Sequence, residues 1–124
     1  MNVTNTLLCL ALNIYHESRG EPENGQIAVA IVTMNRAGWQ TENICTEVYR
    51  ERQFSWTHTR TQHQPKEEMA WRKAKKIATQ VLNGEHKDMT GGATHFHASG
   101  IKPYWSRSFQ KKMRIGRHIF YAEN

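Results

Sequence analysis

Leu10, Ile14 and Glu17 fall on one stripe of a helix that the sequence starts near Thr4 or Asn5. A carboxyl group at the end of an apolar stripe loses water contact. In the last helical turn it also meets the negative end of the helix dipole. Both effects disfavour the ionised form and raise the pKa. A carboxylic acid kept protonated near neutral pH can act as a general acid. The plainer alternative is a helix-end Glu that swings into water. Glu21 would share the stripe if the helix continued, but Gly20 and Pro22 predict a stop there. Glu21 is therefore expected to cap the next helix or to pair with Arg19, and no paired-carboxylate mechanism is assumed.

The elements that must hold these groups follow from periodicity. Leu7, Leu8, Leu10, Ala11, Ile14 and Tyr15 have helical spacing up to Gly20. A second helix is expected from Pro22–Asn24 to Gly38. It is apolar all round between Ile27 and Met34, as a buried central helix should be. Glu42–Tyr49 reads as a short helix, Arg52–Trp56 as extended chain and His58–Gln64 as a polar loop. Pro65 opens a long amphipathic helix to Asn83, its outer face basic with Lys73, Lys75 and Lys76. Ala93–Ala98 and Arg114–Tyr121 alternate like strands. The fold class is α+β, mostly helical with a small sheet.

A length of 124 residues suits one domain, 1–124, with one core. Hydrophobic residues at 38% and charged residues at 23% exclude a disordered tail or a membrane protein. The net charge of +6 suits an anionic target such as nucleic acid, anionic lipid or bacterial cell wall, and does not choose among them. Cys9 and Cys45 are too few for a disulfide scaffold and lack zinc spacing. One bridge is possible, but two free thiols are expected. Leu7–Leu12 is too short to span a membrane and lacks the flanks of a signal peptide. Synthesis in a cytoplasm is expected, and action outside it would require another route of release.

Four blocks carry a resemblance. Tyr15–Pro22 reads YHESRGEP and is followed by Gly25-Gln26, Ala28-Val29-Ala30 and Asn35-Arg36. Gln53-Phe54-Ser55-Trp56, Gly92-Ala93-Thr94-His95-Phe96-His97 and Gly116-Arg117-His118-Ile119-Phe120-Tyr121 follow in order. The set resembles the cell-wall hydrolase family of the spore-cortex-lytic enzymes, and the bare, compact form resembles that family's phage endolysins. The resemblance implies a lysozyme-like fold with a small antiparallel sheet, acting on peptidoglycan glycan strands. It implies cleavage of the β-1,4 bond between N-acetylmuramic acid and N-acetylglucosamine, by lytic transglycosylase chemistry with Glu17 as the acid. Ser18 replaces the usual Ala of the motif, a change that does not touch the acid. A phage-encoded member would need a holin to reach the periplasm.

The remaining candidates are positioners. Gln53 and Ser55, two apart in extended chain, share a face and can hydrogen-bond sugar hydroxyls or acetamido groups. His95 and His97 share another strand face, and His118 is expected to face the same cleft. Tyr104 and Trp105 could stack on sugar or plug the core. Glu21 is kept as a possible substrate contact. Three His plus Glu17 resembles a zinc inventory. No metal or other cofactor is expected, because the third His comes from a distant segment. Two rivals remain: a zinc-dependent peptidoglycan amidase or peptidase using His95, His97 and His118, and a small basic nucleic-acid-binding protein. The second lacks a binding motif. A monomer is expected, with neither nucleic-acid binding nor stable membrane insertion.

Overall fold

The computed structural model describes residues 3–50 and 64–124. Helices α1 (Val3–Ser18), α2 (Glu23–Arg36), α3 (Ile44–Val48) and α4 (Glu68–Leu82) precede strands β1 (His95–Ala98), β2 (Gln110–Ile115) and β3 (His118–Ala122). Short 3-10 turns at Thr41–Asn43 and Tyr104–Arg107 lead into α3 and towards β2. This is the expected α+β arrangement.

The apolar run in the second helix does what its composition requires. Every residue of α2 from Gly25 to Met34 is buried. Ile27, Ile31 and Met34 join Leu10 and Ile14 of α1, Ile44 and Val48 of α3, and Ile77 and Val81 of α4 in one core. Ala28, Val29 and Val32 point the other way and meet Ala93 and Phe120 of the sheet layer. Helix α2 is thus the plate between a helical layer and a sheet layer. Two residues at its end fasten the second layer. Asn35 Nδ2 donates to the Ala93 carbonyl at 2.8 Å, and Arg36 Nη1 donates to the Thr94 carbonyl at 3.0 Å.

Several local expectations are corrected. Helix α1 already runs at Val3, so Thr4 and Asn5 lie within it and do not cap it. Gly20 is not in the left-handed region; the turn after α1 closes through a bond from the Glu21 N–H to the Ser18 carbonyl at 2.9 Å. The Tyr15 hydroxyl accepts the N–H groups of Lys66 and Glu67 at 3.1 and 3.0 Å, and α4 starts only at Glu68. Cys9 and Cys45 form a disulfide between α1 and α3, not two free thiols. The two packed helices bring their Cα atoms to 5.3 Å.

The largest correction concerns the last strand. Arg114–Tyr121 is a hairpin, broken at Gly116-Arg117, with Ile115 paired to His118. Gly116 has a φ of +56°, and Arg117 has none above zero. A positive φ confined to the first of two loop residues is the pattern of a type II′ turn, which matches strand twist. The sheet order is β1-β3-β2, antiparallel throughout, with His95 opposite Tyr121 and His97 opposite Ile119. No helix among the described residues is long and apolar enough to cross a membrane.

Candidate active site

The last turn of α1 and its tight turn into α2 form one wall of a hollow of about 390 Å³. Glu17, Gly20 and Glu21 line that wall, and Ala98, Arg117 and His118 line the facing sheet. The corner is stiff. Ser18 Oγ donates to the Ile14 carbonyl at 2.8 Å, and Gln26 Nε2 donates to the Glu21 carbonyl at 3.0 Å. The Ser that replaces Ala in the motif therefore spends its hydroxyl on its own helix. A second hollow, of about 380 Å³, shares His16 and Arg19 with the first and extends past Tyr15.

Glu17 has the property that its sequence position predicts. Burial pushes its carboxyl from 4.5 up to about 7. Near neutral pH a large fraction of it carries a proton, and it borders open space that a ligand can enter. That combination is what a general acid needs.

Glu21 differs. Its side chain is 7% exposed, and it is engaged by the β2–β3 turn. Oε1 accepts the Arg117 backbone N–H at 2.8 Å, and Oε2 lies 3.6 Å from Arg117 Nε. A Cβ added at Gly116 would sit 2.4 Å from Oε1, so only glycine lets the turn close on this carboxylate. The expected partner Arg19 pairs instead with Glu67. Periodicity and spacing assign Arg117 no role. Its position between Gly116 and His118 in the closing block was the available signal, and its partner lies 96 residues away.

His118 stands on this side of the sheet, buried, with Nδ1 3.9 Å from Glu21 Oε1. Burial lowers its pKa, and Arg117 and His97 add to that while Glu21 opposes it. His95 and His97 do not share its face, contrary to expectation. They pair with Tyr121 and Ile119, whose side chains point away from the helices. His97 Nδ1 donates to the Ala98 carbonyl at 2.7 Å, which leaves Nε2 to accept from the Tyr121 hydroxyl at 3.0 Å. Trp105 packs on His95, His97, Phe109 and Tyr121 behind the sheet, while Tyr104 is 90% exposed. Neither lines the hollow at Glu17. Gln53 and Ser55 lie outside the described residues.

The three His of the zinc reading therefore straddle the sheet. Among the described residues no group of three or more His, Cys, Asp or Glu is placed to hold a metal ion.

Fold and site together define a small α+β domain with one protonatable acid at a hollow between a helix corner and a hairpin. Residues 20–121 match the cell wall hydrolase family, and the chain belongs to that family. It is 32% identical over 119 residues to a spore cortex-lytic enzyme of Halalkalibacterium halodurans, covering 94% of this chain and 34% of that protein. A spore cortex-lytic enzyme of Bacillus cereus is 32% identical over 121 residues, covering 94% of this chain and 44% of its own length. The chain thus spans between a third and a half of the curated relatives it matches. The crystal structure of the catalytic domain of the Bacillus cereus SleB protein superposes with a TM-score of 0.74 at 29% identity, covering 98% of this chain and 92% of that one. The catalytic domain of the germination-specific lytic transglycosylase SleB from Bacillus anthracis gives 0.72 at 28% identity, covering 97% and 96%. The lysozyme-like fold expected from the motif blocks is the fold shared with these domains.

Proposed function

We propose that this chain is a catalytic unit that degrades peptidoglycan by cutting the β-1,4 bond between N-acetylmuramic acid and N-acetylglucosamine as a lytic transglycosylase. Glu17 gives its proton to the glycosidic oxygen, and the N-acetylglucosamine leaves as an alcohol. The oxocarbenium-like C1 of the muramic residue is then captured by that residue's own 6-hydroxyl. Glu17, now ionised, accepts the hydroxyl proton, and a 1,6-anhydro ring closes without net uptake of water. The unit works at the cell wall and as a monomer. Acid catalysis in the cleft requires only Glu17, with Glu21 and His118 lining the same hollow.

One observation carries this reading: the second carboxylate is committed. A hydrolysing glycosidase needs a partner carboxylate as nucleophile or as base for water. Glu21 is the described carboxylate nearest in sequence on this wall, and it is held by the N–H and guanidinium of Arg117. An internal nucleophile on the substrate fills the vacant role. The membership of the chain in the cell wall hydrolase family supports the substrate class.

Mass spectrometry of muropeptides released from purified walls tests it. The expected products end in 1,6-anhydro-N-acetylmuramic acid, one water lighter than hydrolysis products. Products ending only in reducing muramic acid would overturn the transglycosylase step and leave Glu17 as the acid. Reducing-end glucosamine would mean that the other glycosidic bond is cut.

A further inference from the structure

The net charge of +6 is segregated. Between Asp88 and Glu123 the chain has six Lys and Arg and no Asp or Glu. The other eleven of its 17 basic side chains are matched by its 11 acidic ones. The entire excess charge therefore belongs to the sheet unit. On the outer face of that sheet, away from Glu17, lies a hollow of about 400 Å³, within the size range of small-ligand sites. Lys102, Lys111 and Arg114 border it, Ile119 and Tyr121 supply its floor, and among the described residues no carboxylate lines it.

A distortion of the backbone brings two of these cations together. In a regular strand Lys111 and Arg114, three apart, point to opposite faces. The pairing of β2 with β3 shifts between Lys111 and Met113, so Lys111 stands opposite Tyr121 and Arg114 opposite Ile119. Tyr121 and Ile119 are both on the outer face, as their pairing with His95 and His97 requires. The bulge thus turns Arg114 onto the face of Lys111 and leaves Met113 in the core with Phe120. Bulges are over-represented at sheet edges, as here on β2, and next to functional sites, where they re-aim a side chain. Arg114 Nε donates to the Gly116 carbonyl at 3.1 Å, which fixes the guanidinium at the end of the groove.

We propose that this outer groove is a second binding site, for the acidic stem peptide of peptidoglycan; the choice of peptide rests on the wall-degrading reading above. Stem peptides combine free carboxylates with alanine methyl groups. Lys102, Lys111 and Arg114 recognise the carboxylates by charge-assisted hydrogen bonds, and Ile119 and Tyr121 receive the methyls. A wall polyphosphate would use the cations but gain nothing from the apolar floor. The sheet separates the groove from Glu17, so the site holds the wall and does not touch the bond being cut.

The test uses the full chain carrying Glu17→Gln, so that binding is read without turnover. Amide NMR shifts are followed on titration with a synthetic stem tetrapeptide, the same peptide with its carboxylates amidated, and a glycerol-phosphate oligomer. The expected result is saturable shifts confined to residues 99–102, 106, 111–114 and 119–121, with the free-acid peptide only. Lys111→Gln and Arg114→Gln should each weaken Kd at least about 10-fold. Among the described residues Lys111 makes no side-chain hydrogen bond or ion pair, so its variant guards against a folding defect. In the background with Glu17 restored, both variants should lose activity on intact walls and keep it on glycan strands stripped of peptide. Binding of the phosphate oligomer in preference to the peptide, equal binding of the amidated peptide, or shifts centred on Glu17 would each overturn the site. None of these outcomes bears on the product analysis, which judges the catalytic reading separately.

Discussion

The two faces of the three-stranded sheet are one side chain apart and do different work. The inner face carries Ala98, His118 and Phe120; Phe120 is sealed against α2, and Ala98 and His118 border the hollow of Glu17. The outer face carries His95, His97, Ile119 and Tyr121, covered in part by Trp105 and Phe109. His97 and Ala98 are neighbours in sequence, yet they line different hollows. Adjacent motif residues therefore need not serve one site. In a strand, parity decides, and parity is decided by what the partner strand allows.

The sharpest break in the comparison should come from the cleft side. Glu17→Gln keeps the shape and removes the proton. It should lower wall-lysing activity at least about 100-fold while the protein folds. Glu21→Gln should be far milder, because Oε1 of Gln still accepts the Arg117 N–H that Oε1 of Glu accepts at 2.8 Å. Turbidity loss of wall suspensions measures both. Equal losses at the two positions would restore a two-carboxylate mechanism.

A change on the outer face should act on stability and spare chemistry. Trp105 is half-buried among His95, His97, Phe109 and Tyr121, with ring centroids 4.9–5.7 Å away. Trp105→Ala should cost about 3 kcal/mol, since full truncation of a large aromatic costs about 3–5 kcal/mol and this ring keeps some exposure. Denaturant unfolding gives that number. Activity per folded molecule on glycan strands stripped of peptide should stay near normal. A selective loss of kcat in a folded variant would show that the outer face reaches the reaction.

Local periodicity made the acid and the central helix readable. Glu17 sits where an apolar stripe meets a helix end, and the Ile27–Met34 run can only be a buried helix. The closing motif was legible as residues and not as geometry. Read as one strand over Arg114–Tyr121, its alternation puts His118 opposite Ile115; the turn at Gly116-Arg117 resets the parity and pairs the two on one face. The register that sets His95 and His97 against Ile119 and Tyr121 depends on a strand more than twenty residues away. Contacts of that range leave no periodic trace. The same holds for the disulfide, whose cysteines are 36 residues apart, and for the hold of Glu21 on Arg117.

The acid should also reveal itself in stability. Its carboxyl titrates near 4.5 when unfolded and at about 7 when folded, because burial disfavours the charged form. The folded state then binds its proton more tightly than the unfolded state. Stability falls as pH rises from about 4.5 to about 7 and levels off above. Glu17→Gln has no such dependence. Between pH 5 and pH 7.5 the variant should gain about 2 kcal/mol on the wild type. Parallel unfolding curves at both pH values test this, since every other group titrates alike in the two proteins. A constant difference would mean that the Glu17 carboxyl is hydrated in solution.

The smallest expected effect is that of chelation, and the two faces explain why. A zinc hydrolase built on these side chains would need His95, His97 and His118 to converge with an open position for water. His118 points into the cleft beside Glu21, and its Nδ1 is buried 3.9 Å from that carboxylate. His97 has both ring nitrogens engaged, one by the Ala98 carbonyl and one by the Tyr121 hydroxyl. His95 Nδ1 lies 2.9 Å from Thr94 Oγ1, and its Nε2 lies 3.2 Å from Arg36 Nη1, a cation that would repel a metal. Burial and Arg36 both lower the His95 pKa, with Glu123 acting against them. Bringing the three rings to one ion would require turning β3 over, and that would expel Phe120 from the core. Prolonged EDTA treatment should therefore leave the melting temperature and the wall-lysing rate unchanged. Stoichiometric zinc in the purified protein, with activity lost on its removal and restored on its return, would reverse the assignment of the chemistry to Glu17.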